Sequence, residues 1–339
     1  MAWGGGQANP PANLTNAVAI STAVDHSLAL RANGTVAAWG YDFDSQCDVP
    51  TGLNGVRAIA AGDFFSLALR TNGTVVAWGS NDQGQCDLPS GLANVVAISA
   101  GHAHCLALEG DGTVVAWGAG AFGQTNVVPG LLHPKQLLAA GDYSVVLLSN
   151  GTVAAWGLDD AGQTDVPQGL GSVVSLAASK EYALALKSDG TVAAWGDYPP
   201  LPPDLTNVVA IAAGQNHSLA LTADGKVLAW GTNLSGEGTV PAGLVAVQAL
   251  GAAWSYSLAL AQAVKSILPV TLLNPTWSGH RFSVSFQSRS GVSYELEYEP
   301  SLGSGAWTNL APVPGTGGTL TLTDPAAEAP ARFYRVQSQ

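Results

Sequence analysis

Histidine offers the widest chemistry in this sequence, because imidazole can bind a metal or take up a proton near neutral pH. Three histidines open apolar runs of the same form, namely His26, His104 and His217. They are too dispersed along the chain to predict one shared metal site, and they share a strand face with leucines that we expect to be buried. His102 and His104 are two residues apart, so a metal site on one strand face stays open. Ser27 and Ser218 each follow a histidine but should point to the opposite face, which argues against a His–Ser nucleophile pair.

Acidic loops offer a second kind of site. The segments Asp42-Phe43-Asp44 and Asp159-Asp160 could bind calcium, although they lack the spaced ligands and the closing Glu of an EF-hand. Asn-Gly-Thr triplets match a glycosylation acceptor, but a hairpin turn explains them better. We find no Gly-rich phosphate loop and no pair of acid–base carboxylates in the sequence. The sequence therefore predicts no catalytic residue, no resident metal and no cofactor, and we do not expect an enzyme.

The elements that must position these residues repeat along the chain at a period of about 39 residues. A Trp-Gly pair begins at Trp3, Trp39, Trp78, Trp117, Trp156, Trp195 and Trp230. An aromatic residue or histidine opens an apolar strand at His26, Phe65, His104, Tyr143, Tyr182, His217 and Tyr256. Between the two signatures lies an Asn-Gly or Asp-Gly pair, which suits a two-residue type I′ hairpin. Each repeat predicts three short strands.

Seven repeats of this kind predict an all-β fold, a seven-bladed β-propeller with short, mainly three-stranded blades over residues 1–262. A single blade cannot bury both of its faces, so the blades must stack on one another. The last apolar strand, from Tyr256 to Leu260, is followed by no hairpin and no Trp-Gly pair. We therefore expect the N-terminal Ala2-Trp3-Gly4 to supply the third strand of the seventh blade and close the ring.

The chain has 339 residues and a formal net charge of −12. Such an acidic surface repels phosphate backbones, so we expect no nucleic-acid partner. No long apolar run predicts insertion into a membrane. Met1 is followed at once by repeat sequence, which suggests that a leader was removed or is absent here. Cys47 and Cys86 occupy equivalent repeat positions, too far apart for a disulfide, and most simply replace small polar residues.

The 39-residue period stops near residue 266, and we expect a linker at residues 263–270 and a small β-sandwich at residues 271–339. Alternating residues and turn signals predict strands at Arg281–Gln287, Tyr294–Tyr298, Trp307–Leu310, Thr319–Thr323 and Arg332–Val336. This segment resembles the fibronectin-III-like modules of secreted bacterial proteins, most clearly in its last strand. The resemblance implies an extracellular setting.

The repeats resemble the RCC1 repeat family over residues 1 to about 262. The resemblance rests on residues 62–69 (GDFFSLAL) and residues 72–79 (NGTVVAWG). The short unit and the Gly84-Gln85 loop are most similar to a bacterial short-blade branch, which includes a secreted β-lactamase inhibitory protein. The resemblance implies a propeller whose loops choose the partner. Aromatic residues stand before the second strand only at Phe64 and Trp254, so β-lactamase inhibition is an alternative and not the main expectation.

We expect a non-enzymatic extracellular or cell-surface binding module that recognises a protein through loops on one rim, and we expect a monomer. A glycan-binding propeller is the alternative, because exposed aromatic rings can stack on sugars. The candidate partner-binding residues precede the second strands or follow the Trp-Gly pairs, and they are Asp63, Phe64, Asp142, Lys180, Glu181, Asn216, Trp254, Tyr41 and Phe43. Phe122 and Tyr198 occupy similar loops.

Overall fold

The computed structural model describes residues 1–5, 9–244, 246–261, 273–278, 280–288, 290, 293–299, 307–325, 327 and 332–338. The chain divides into two compact units, Met1–Gln262 and Ala263–Gln339. Over the described residues the secondary structure consists of strands and turns, and none of it is a helix that could cross a membrane. The predicted linker, residues 263–270, lies outside the described residues.

Unit 1 contains seven antiparallel sheets of three strands each, as the sequence predicts. The first strands of blades 1 to 7 are Ala17–Thr22, Val56–Ala61, Val95–Ala100, Pro134–Ala140, Val173–Ala178, Val208–Ala213 and Val247–Ala252. The second strands are His26–Arg31, Phe65–Arg70, His104–Glu109, Tyr143–Leu148, Tyr182–Lys187, His217–Thr222 and Tyr256–Ala261. The third strands of blades 1 to 6 are Val36–Gly40, Val75–Gly79, Val114–Gly118, Val153–Gly157, Val192–Gly196 and Val227–Gly231.

The seventh blade takes its third strand from the N-terminus, which confirms the predicted closure. Ala2–Gly4 pairs antiparallel with the second strand of blade 7, Trp3 lying opposite Ser257. The N-terminal ammonium of Met1 donates a hydrogen bond to the carbonyl of Ala259 at 2.7 Å. On the other side of the seam, the Thr22 hydroxyl of blade 1 donates to the carbonyl of Ala252 at 3.1 Å. The ring is therefore joined by pairing within blade 7 and by contacts between blades 7 and 1.

Each blade has one bulky face and one small-residue face, because side chains alternate along the second strand. Phe65, Leu67 and Leu69 of blade 2 belong to one buried cluster with Cys105 and Ala107 of blade 3. All five side chains are fully buried. Large residues facing small ones allow neighbouring blades to pack at the density of a protein interior.

A hydrogen-bond motif repeated between blades holds the loops that follow the Trp-Gly pairs. In blade 3 the Trp117 indole N–H donates to the carbonyl of Gln85, the last residue of the preceding loop, at 2.9 Å. The same bond joins Trp78 to Gln46, Trp156 to Gln124, Trp195 to Gln163 and Trp3 to Glu237. The Gln85 side chain in turn accepts the backbone N–H of Gln83 at 2.8 Å, which folds the loop onto itself.

Blade 5 departs from this motif. Its loop, residues 197–203, is shorter and proline-rich and lacks the Gly-Gln pair. The Trp230 indole of blade 6, which would use that loop, is buried with no hydrogen-bond partner in the described part of the chain. The unmatched donor is the expected consequence of losing the glutamine carbonyl.

The buried histidines bridge adjacent blades. His26 Nε2 lies 2.8 Å from Ser66 Oγ, and the Ser66 hydroxyl donates to the carbonyl of Gln46 at 2.9 Å. Because the Ser66 hydroxyl already donates its hydrogen to that carbonyl, it can only accept from the histidine. His26 Nε2 therefore carries a hydrogen and donates it to Ser66. His104 with Ser144 and His217 with Ser257 repeat the arrangement. Burial lowers the pKa of His26 and of His104 to about 4, so both rings are neutral at physiological pH.

Other blades use other partners at the same position. The Tyr182 hydroxyl lies 2.8 Å from Ser218 Oγ, and the Tyr256 hydroxyl lies 2.9 Å from Ser27 Oγ. Ser27 and Ser218 are thus bonded to tyrosines of neighbouring blades. Phe65 has no polar group and faces Cys105 in place of a serine. The seven His or aromatic residues therefore serve blade stacking.

Unit 2 forms two antiparallel sheets. One contains Leu273–Ser278, Arg281–Gln287 and Thr319–Asp324, and the other contains Ser293–Glu299, Thr308–Asn309, Val313–Pro314 and Phe333–Ser338. Val284, Phe286 and Leu322 of the first sheet share a core with Leu296 and Val336 of the second, as in the predicted sandwich.

The sequence prediction missed the strands at Leu273–Ser278 and Val313–Pro314. Pro275 interrupts the first of these strands and hides its alternation, and the second is only two residues long and ends at Pro314. Asp324 is almost fully buried, and Arg332 pairs with it at 2.5 Å while lying over the Tyr298 ring.

Candidate functional site

The two sets of loops that carry the predicted residues lie on the same rim of the propeller. The residue after each Trp-Gly pair donates its N–H to the carbonyl of the residue before the second strand of the same blade. Tyr41 bonds to Asp25 at 2.8 Å, and Ser80 bonds to Phe64 at 2.9 Å. We call this face the loop rim, formed by the loops before the second strands and the loops after the Trp-Gly pairs. The Asn-Gly and Asp-Gly turns lie at the other ends of the same strands and form the hairpin rim.

Close approach of the two loop sets requires glycine after each tryptophan. Gly79 has a φ of +102°, and a Cβ added there would lie 2.7 Å from the carbonyl oxygen of Phe64. Any side chain would force the two loops apart. The Trp-Gly pair thus combines an indole that anchors the preceding loop with a glycine that admits the adjacent one.

Seven equivalent positions on the loop rim carry seven different residue types. They lie two residues before each second strand, and they are Val24, Asp63, His102, Gly141, Lys180, Gln215 and Trp254. By contrast, the equivalent buried positions of the second strands are Leu28, Leu67, Leu106, Val145, Leu184, Leu219 and Leu258. The scaffold is repetitive, whereas this ring of loop residues is diverse.

Six of these seven residues, all except His102, line the mouth of the central channel, where the first strands of all seven blades converge. The cavity there has a volume of about 120 Å³ and is lined by alanines of the first strands together with Asp63, Lys180, Gln215 and Trp254. Backbone bonds between blades fix the mouth: Asp63 N–H donates to Gly101 at 3.3 Å, and Gln215 N–H donates to Ala253 at 3.2 Å. The ring is therefore a rigid setting for varied side chains.

Asp63 is the most perturbed carboxyl group at the channel mouth. Burial raises its pKa to about 6, and the negative charges of Asp142 and Asp25 act in the same direction, while His102 and Lys180 oppose the shift. A group of this kind exchanges a proton between pH 5 and 7, but the described residues around it supply no nucleophile held by a base.

His102 and Asp142 form a hydrogen-bonded pair between blades 3 and 4, with Nδ1 and Oδ1 3.3 Å apart. The hydrogen bond raises the pKa of His102 and lowers that of Asp142, so the Asp142 carboxylate stays ionised at neutral pH. His102 precedes the strand that begins at His104. The possibility of a metal site shared by these two histidines on one strand face was therefore wrong, because His102 belongs to the rim loop and His104 is buried between blades.

A cleft lies over blade 3, between the loops at residues 80–85 and 119–124. Its volume is about 300 Å³, and Phe64, Phe122, Asp82, His102 and Asp142 contribute to its lining. Phe122 is half exposed, and Phe64 is half-buried. We call this the aromatic cleft.

The structure separates the predicted residues into groups. Asp63, Lys180 and Trp254 line the channel mouth, whereas Phe64 and Asp142 line the aromatic cleft. Glu181 and Asn216 lie beside the mouth, one residue after Lys180 and Gln215. Tyr41 and Phe43 line neither cavity and stack on each other, with ring centroids 6.3 Å apart and Phe43 83% exposed.

The predicted set omits Asp82 and Leu234, although both lie on the loop rim. Leu234 is 95% exposed and occupies the same loop position as Phe43. Aligning the loops by repeat position would have found it. Asp82 occupies the same position as Phe43 in the loop of the next blade, blade 2. Only the fold shows that it lines the aromatic cleft.

Neither the acidic loops nor the cysteines form a metal cluster in the part of the chain that the structure describes. Asp42 and Asp159 instead accept backbone N–H groups of their own loops, from Cys47 at 2.7 Å and from Thr164 at 2.8 Å. Cys47, Cys86 and Cys105 are free thiols.

A family model for the regulator of chromosome condensation (RCC1) repeat matches residues 56–85, 95–124 and 208–237. Each match runs from the first strand of a blade to the Gln or Glu that anchors the following loop. The RCC1 repeats predicted from the sequence are confirmed in these segments. No curated protein matches the sequence.

Solved structures share the propeller fold. The chain is similar to Prp20p from Saccharomyces cerevisiae, with a TM-score of 0.65 and 20% identity over 76% of this chain and 90% of that one. Human WBSCR16 gives a TM-score of 0.62 and 20% identity, covering 72% of this chain and 87% of that one. The ectodomain of the Physcomitrella patens receptor kinase CR4 gives a TM-score of 0.56 and 26% identity, covering 68% of this chain and 65% of that one. The seven-bladed β-propeller predicted from the sequence is confirmed.

Proposed function

We propose that this chain is a non-enzymatic binding module that recognises a protein partner through the loop rim of its propeller. The observation that carries the proposal is the diversity of seven equivalent rim positions on a scaffold that otherwise repeats. Rigid scaffolds with varied loops suit recognition, because the loops can change without loss of the core. Blade stacking needs none of these seven side chains to differ.

Exposed apolar side chains on this rim supply the anchors that a protein interface needs. Trp254 is 50% exposed, Phe122 is 52% exposed, and Phe43 and Leu234 are more exposed still. Large aromatic residues surrounded by polar groups commonly dominate binding energy at interfaces. The polar surroundings here are Asp63, Lys180, Glu181, Asn216 and the Asp142–His102 pair.

The solved structures offer precedent for the binding class only. Prp20p was studied for binding to Gsp1p and histones, and a further structure contains Kap60 bound to the same yeast protein. Sequence identity near 20% supports a shared fold, but it does not support a shared binding partner. The acidic charge of −12 makes a nucleic acid an unfavourable ligand.

We place the protein outside the cell or on its surface, as a monomer of the bacterial short-blade type with a fibronectin-III-like second unit. The basis is the sequence resemblance of the repeats and of unit 2. Protease treatment of intact source cells tests the setting. An external protein is digested without lysis, whereas full protection until lysis would refute an exposed location.

The binding proposal is tested by using the full chain as bait on secreted and envelope fractions of bacteria, with captured proteins identified by mass spectrometry. Trp254→Ala and Phe64→Ala should each reduce capture of the same protein by about tenfold or more. The matched control is Val18→Thr, because Val18 is 54% exposed at the hairpin rim and should tolerate the change. Equal loss with Val18→Thr, or no loss with either rim variant, would refute the loop rim as the binding face.

A glycan is the second candidate ligand, and Trp254 favours it. The ring is half exposed at the channel mouth beside Gln215, Asp63 and Lys180, a combination that can stack on a sugar and hydrogen-bond its hydroxyls. A glycan array read with the full chain and with Trp254→Ala decides the point. Array binding that depends on Trp254 replaces the protein partner with a sugar, and a blank array removes this candidate.

β-Lactamase inhibition is a specific form of the protein-binding proposal. Its weakness is that Phe64 and Trp254 alone supply aromatic rings in the loops before the second strands. Purified β-lactamases assayed with excess protein test it directly. Undiminished hydrolysis removes this partner class and leaves the general proposal standing.

A further inference from the structure

We propose that the aromatic cleft receives an arginine side chain of the protein partner, its guanidinium held between Phe122 and the Asp82 and Asp142 carboxylates. This inference rests on the proposed function and names the chemistry that the partner must present. It concerns one side of the loop rim, over blade 3.

The walls of the cleft suit a flat cation with an apolar stem. Phe64 and Phe122 both line it, and Phe122 presents an exposed ring. A guanidinium group stacks on an aromatic face, while the methylene groups of arginine pack along a second apolar surface. The Phe122 backbone is fixed, since its N–H donates to Gln124 Oε1 at 2.9 Å.

The charge of the cleft is complementary to arginine. Asp82 is exposed at the edge, and Asp142 lies inside with its carboxylate kept ionised by His102. His102 donates to one oxygen, Oδ1, which leaves the second oxygen of Asp142 without a described hydrogen bond. Asp63 and Lys180 also act on the pKa of His102, in opposite directions, so three carboxylates against His102 and Lys180 leave the cleft negative. The whole chain has the same sign of charge, with 24 acidic residues and 12 Lys and Arg.

The size of the cleft favours one side chain over a whole small ligand. Its volume of about 300 Å³ lies at the lower end of the roughly 300–1,000 Å³ found for ligand pockets. The cleft is also open, bounded by two loops and not by a lid. A long side chain projecting from a partner surface can enter it without a change of the blades.

The cleft is tested with ¹⁹F NMR on the full chain labelled with 4-fluorophenylalanine, which reports on all 7 phenylalanines. The probe is the peptide N-acetyl-Gly-Arg-Gly-amide. We expect saturable shifts of the Phe64 and Phe122 signals, with a dissociation constant on the order of millimolar for a single side chain. The Phe43 signal is an internal control, because this residue is exposed on the same rim and outside the cleft.

The matched peptide replaces arginine with citrulline, which has nearly the same shape and no charge. It should give at most a tenth of the shift at equal concentration. Asp82→Asn should weaken arginine binding about threefold to tenfold, whereas Asp160→Asn should not. Asp160 is the control because it occupies the position of Asp82 in the loop of blade 4. There it accepts a hydrogen bond from Gln163 at 3.0 Å.

Equal shifts with arginine and citrulline, or shifts of Phe43 as large as those of Phe122, would overturn the inference. Failure here is distinguishable from failure of the proposed function. Partner capture that depends on Trp254 but is accompanied by no arginine shift rejects the cleft and keeps the binding rim. An arginine shift without capture of any protein by the rim keeps the cleft and rejects the broader proposal.

Discussion

The loop rim and the hairpin rim are built from the two ends of the same strands, yet they differ in how their turns are held. A hairpin-rim turn is stabilised within itself: Asn72 Oδ1 accepts the Thr74 N–H at 3.1 Å and the Thr74 hydroxyl at 2.8 Å. The sequences of these turns are accordingly restricted to Asn-Gly or Asp-Gly. A loop that follows a Trp-Gly pair is held in addition from outside, by the tryptophan of the next blade.

The difference shows where this fold can tolerate sequence variation. A self-contained turn needs its Asn or Asp, whose side chain makes the bonds, and its Gly, which adopts the positive φ (+81° at Gly73). The predicted type I′ turn was wrong, because Asn72 does not share the positive φ that such a turn requires at both central positions. An externally anchored loop needs its last Gln, the glycine after the preceding Trp and, where one is present, the Asp that accepts a backbone N–H of the same loop, as Asp42 and Asp159 do. The other side chains are free to differ from blade to blade, as Phe43, Asp82 and Leu234 do at one loop position.

Removing a tryptophan that holds a loop of the loop rim should have the largest effect on stability. Trp117 is buried, and its indole holds the Gln85 end of a loop. Trp117→Ala should lower the free energy of unfolding by about 3–5 kcal/mol, measured by denaturant titration. Hydrogen exchange should rise at residues 80–86 well before it rises at the hairpin of residues 109–113.

Trp254→Ala is the control for a tryptophan that anchors no loop, and its cost should stay within about 0.5 kcal/mol. Equal protection of the two rims in Trp117→Ala would contradict the external anchoring of the loop rim.

The next largest effect concerns the neutral histidines that lie between blades below the loop rim. Burial lowers the His104 pKa from 6.5 to about 4, so its contribution to stability is complete above pH 6.5 and is lost as the pH falls through 4. The double variant His104→Phe with Ser144→Cys copies the natural Phe65–Cys105 pair of the preceding blades. The free energy of unfolding is measured at pH 7 and at pH 4. Its decrease between the two should be smaller in this variant than in the wild type, by about 3 kcal/mol. An unchanged pH dependence would show that His104 does not titrate on unfolding.

Replacing one glycine at each rim by alanine compares the two rims directly, with a smaller expected loss of stability. Gly79→Ala on the loop rim places a Cβ 2.7 Å from the Phe64 carbonyl and should cost about 2 kcal/mol. Gly112→Ala on the hairpin rim has a φ of +94° but no atom within 4 Å of the added Cβ, so it should cost about 1 kcal/mol. Thermal unfolding of both variants measures the difference. A larger cost for Gly112→Ala would reverse the account of which rim is more crowded.

The smallest predicted effect is a gain of stability at the channel mouth. Because the folded state raises the Asp63 pKa to about 6, the carboxyl favours folding at low pH and this contribution is lost as the pH rises through 6. Asp63→Asn should therefore be more stable than the wild type at pH 7.5, by about 1 kcal/mol, with the difference vanishing below pH 4. A variant less stable than the wild type at pH 7.5 would mean that the charged form makes a favourable contact.

The fold could be predicted because each blade repeats the same local instructions. Trp3 falls at the repeat position of the third strand, and Tyr256 opens a second strand that is followed by no third strand of its own. This located the closing strand without any knowledge of the contacts between them. The sandwich of unit 2 was predicted less completely, since Pro275 interrupts one of its strands and the strand Val313–Pro314 is too short to show alternation. The domain boundaries, the binding partner and the location stay predictions.

The candidate site was harder to predict because it depends on contacts between blades. Asp63 looks like an exposed loop residue in the sequence, but convergence of the first strands places it at a narrow channel mouth, where its pKa shifts. His102 looks like a strand residue beside His104, but its partner Asp142 lies one blade away. Repeat alignment identifies equivalent positions, whereas the angle between blades decides which of them meet.

Closure by the N-terminal strand also has a consequence for biosynthesis. The bond from the Met1 ammonium to Ala259 joins residues 258 positions apart, so the ring can be completed only after nearly the whole propeller has left the ribosome. Until then the second strand of blade 7 does not exist, and the first blade keeps one stacking face uncovered. The six complete blades can form in order of synthesis, but the last contact waits for the last strand. The interval between these events is when the nascent chain is most open to mispairing with another copy of itself.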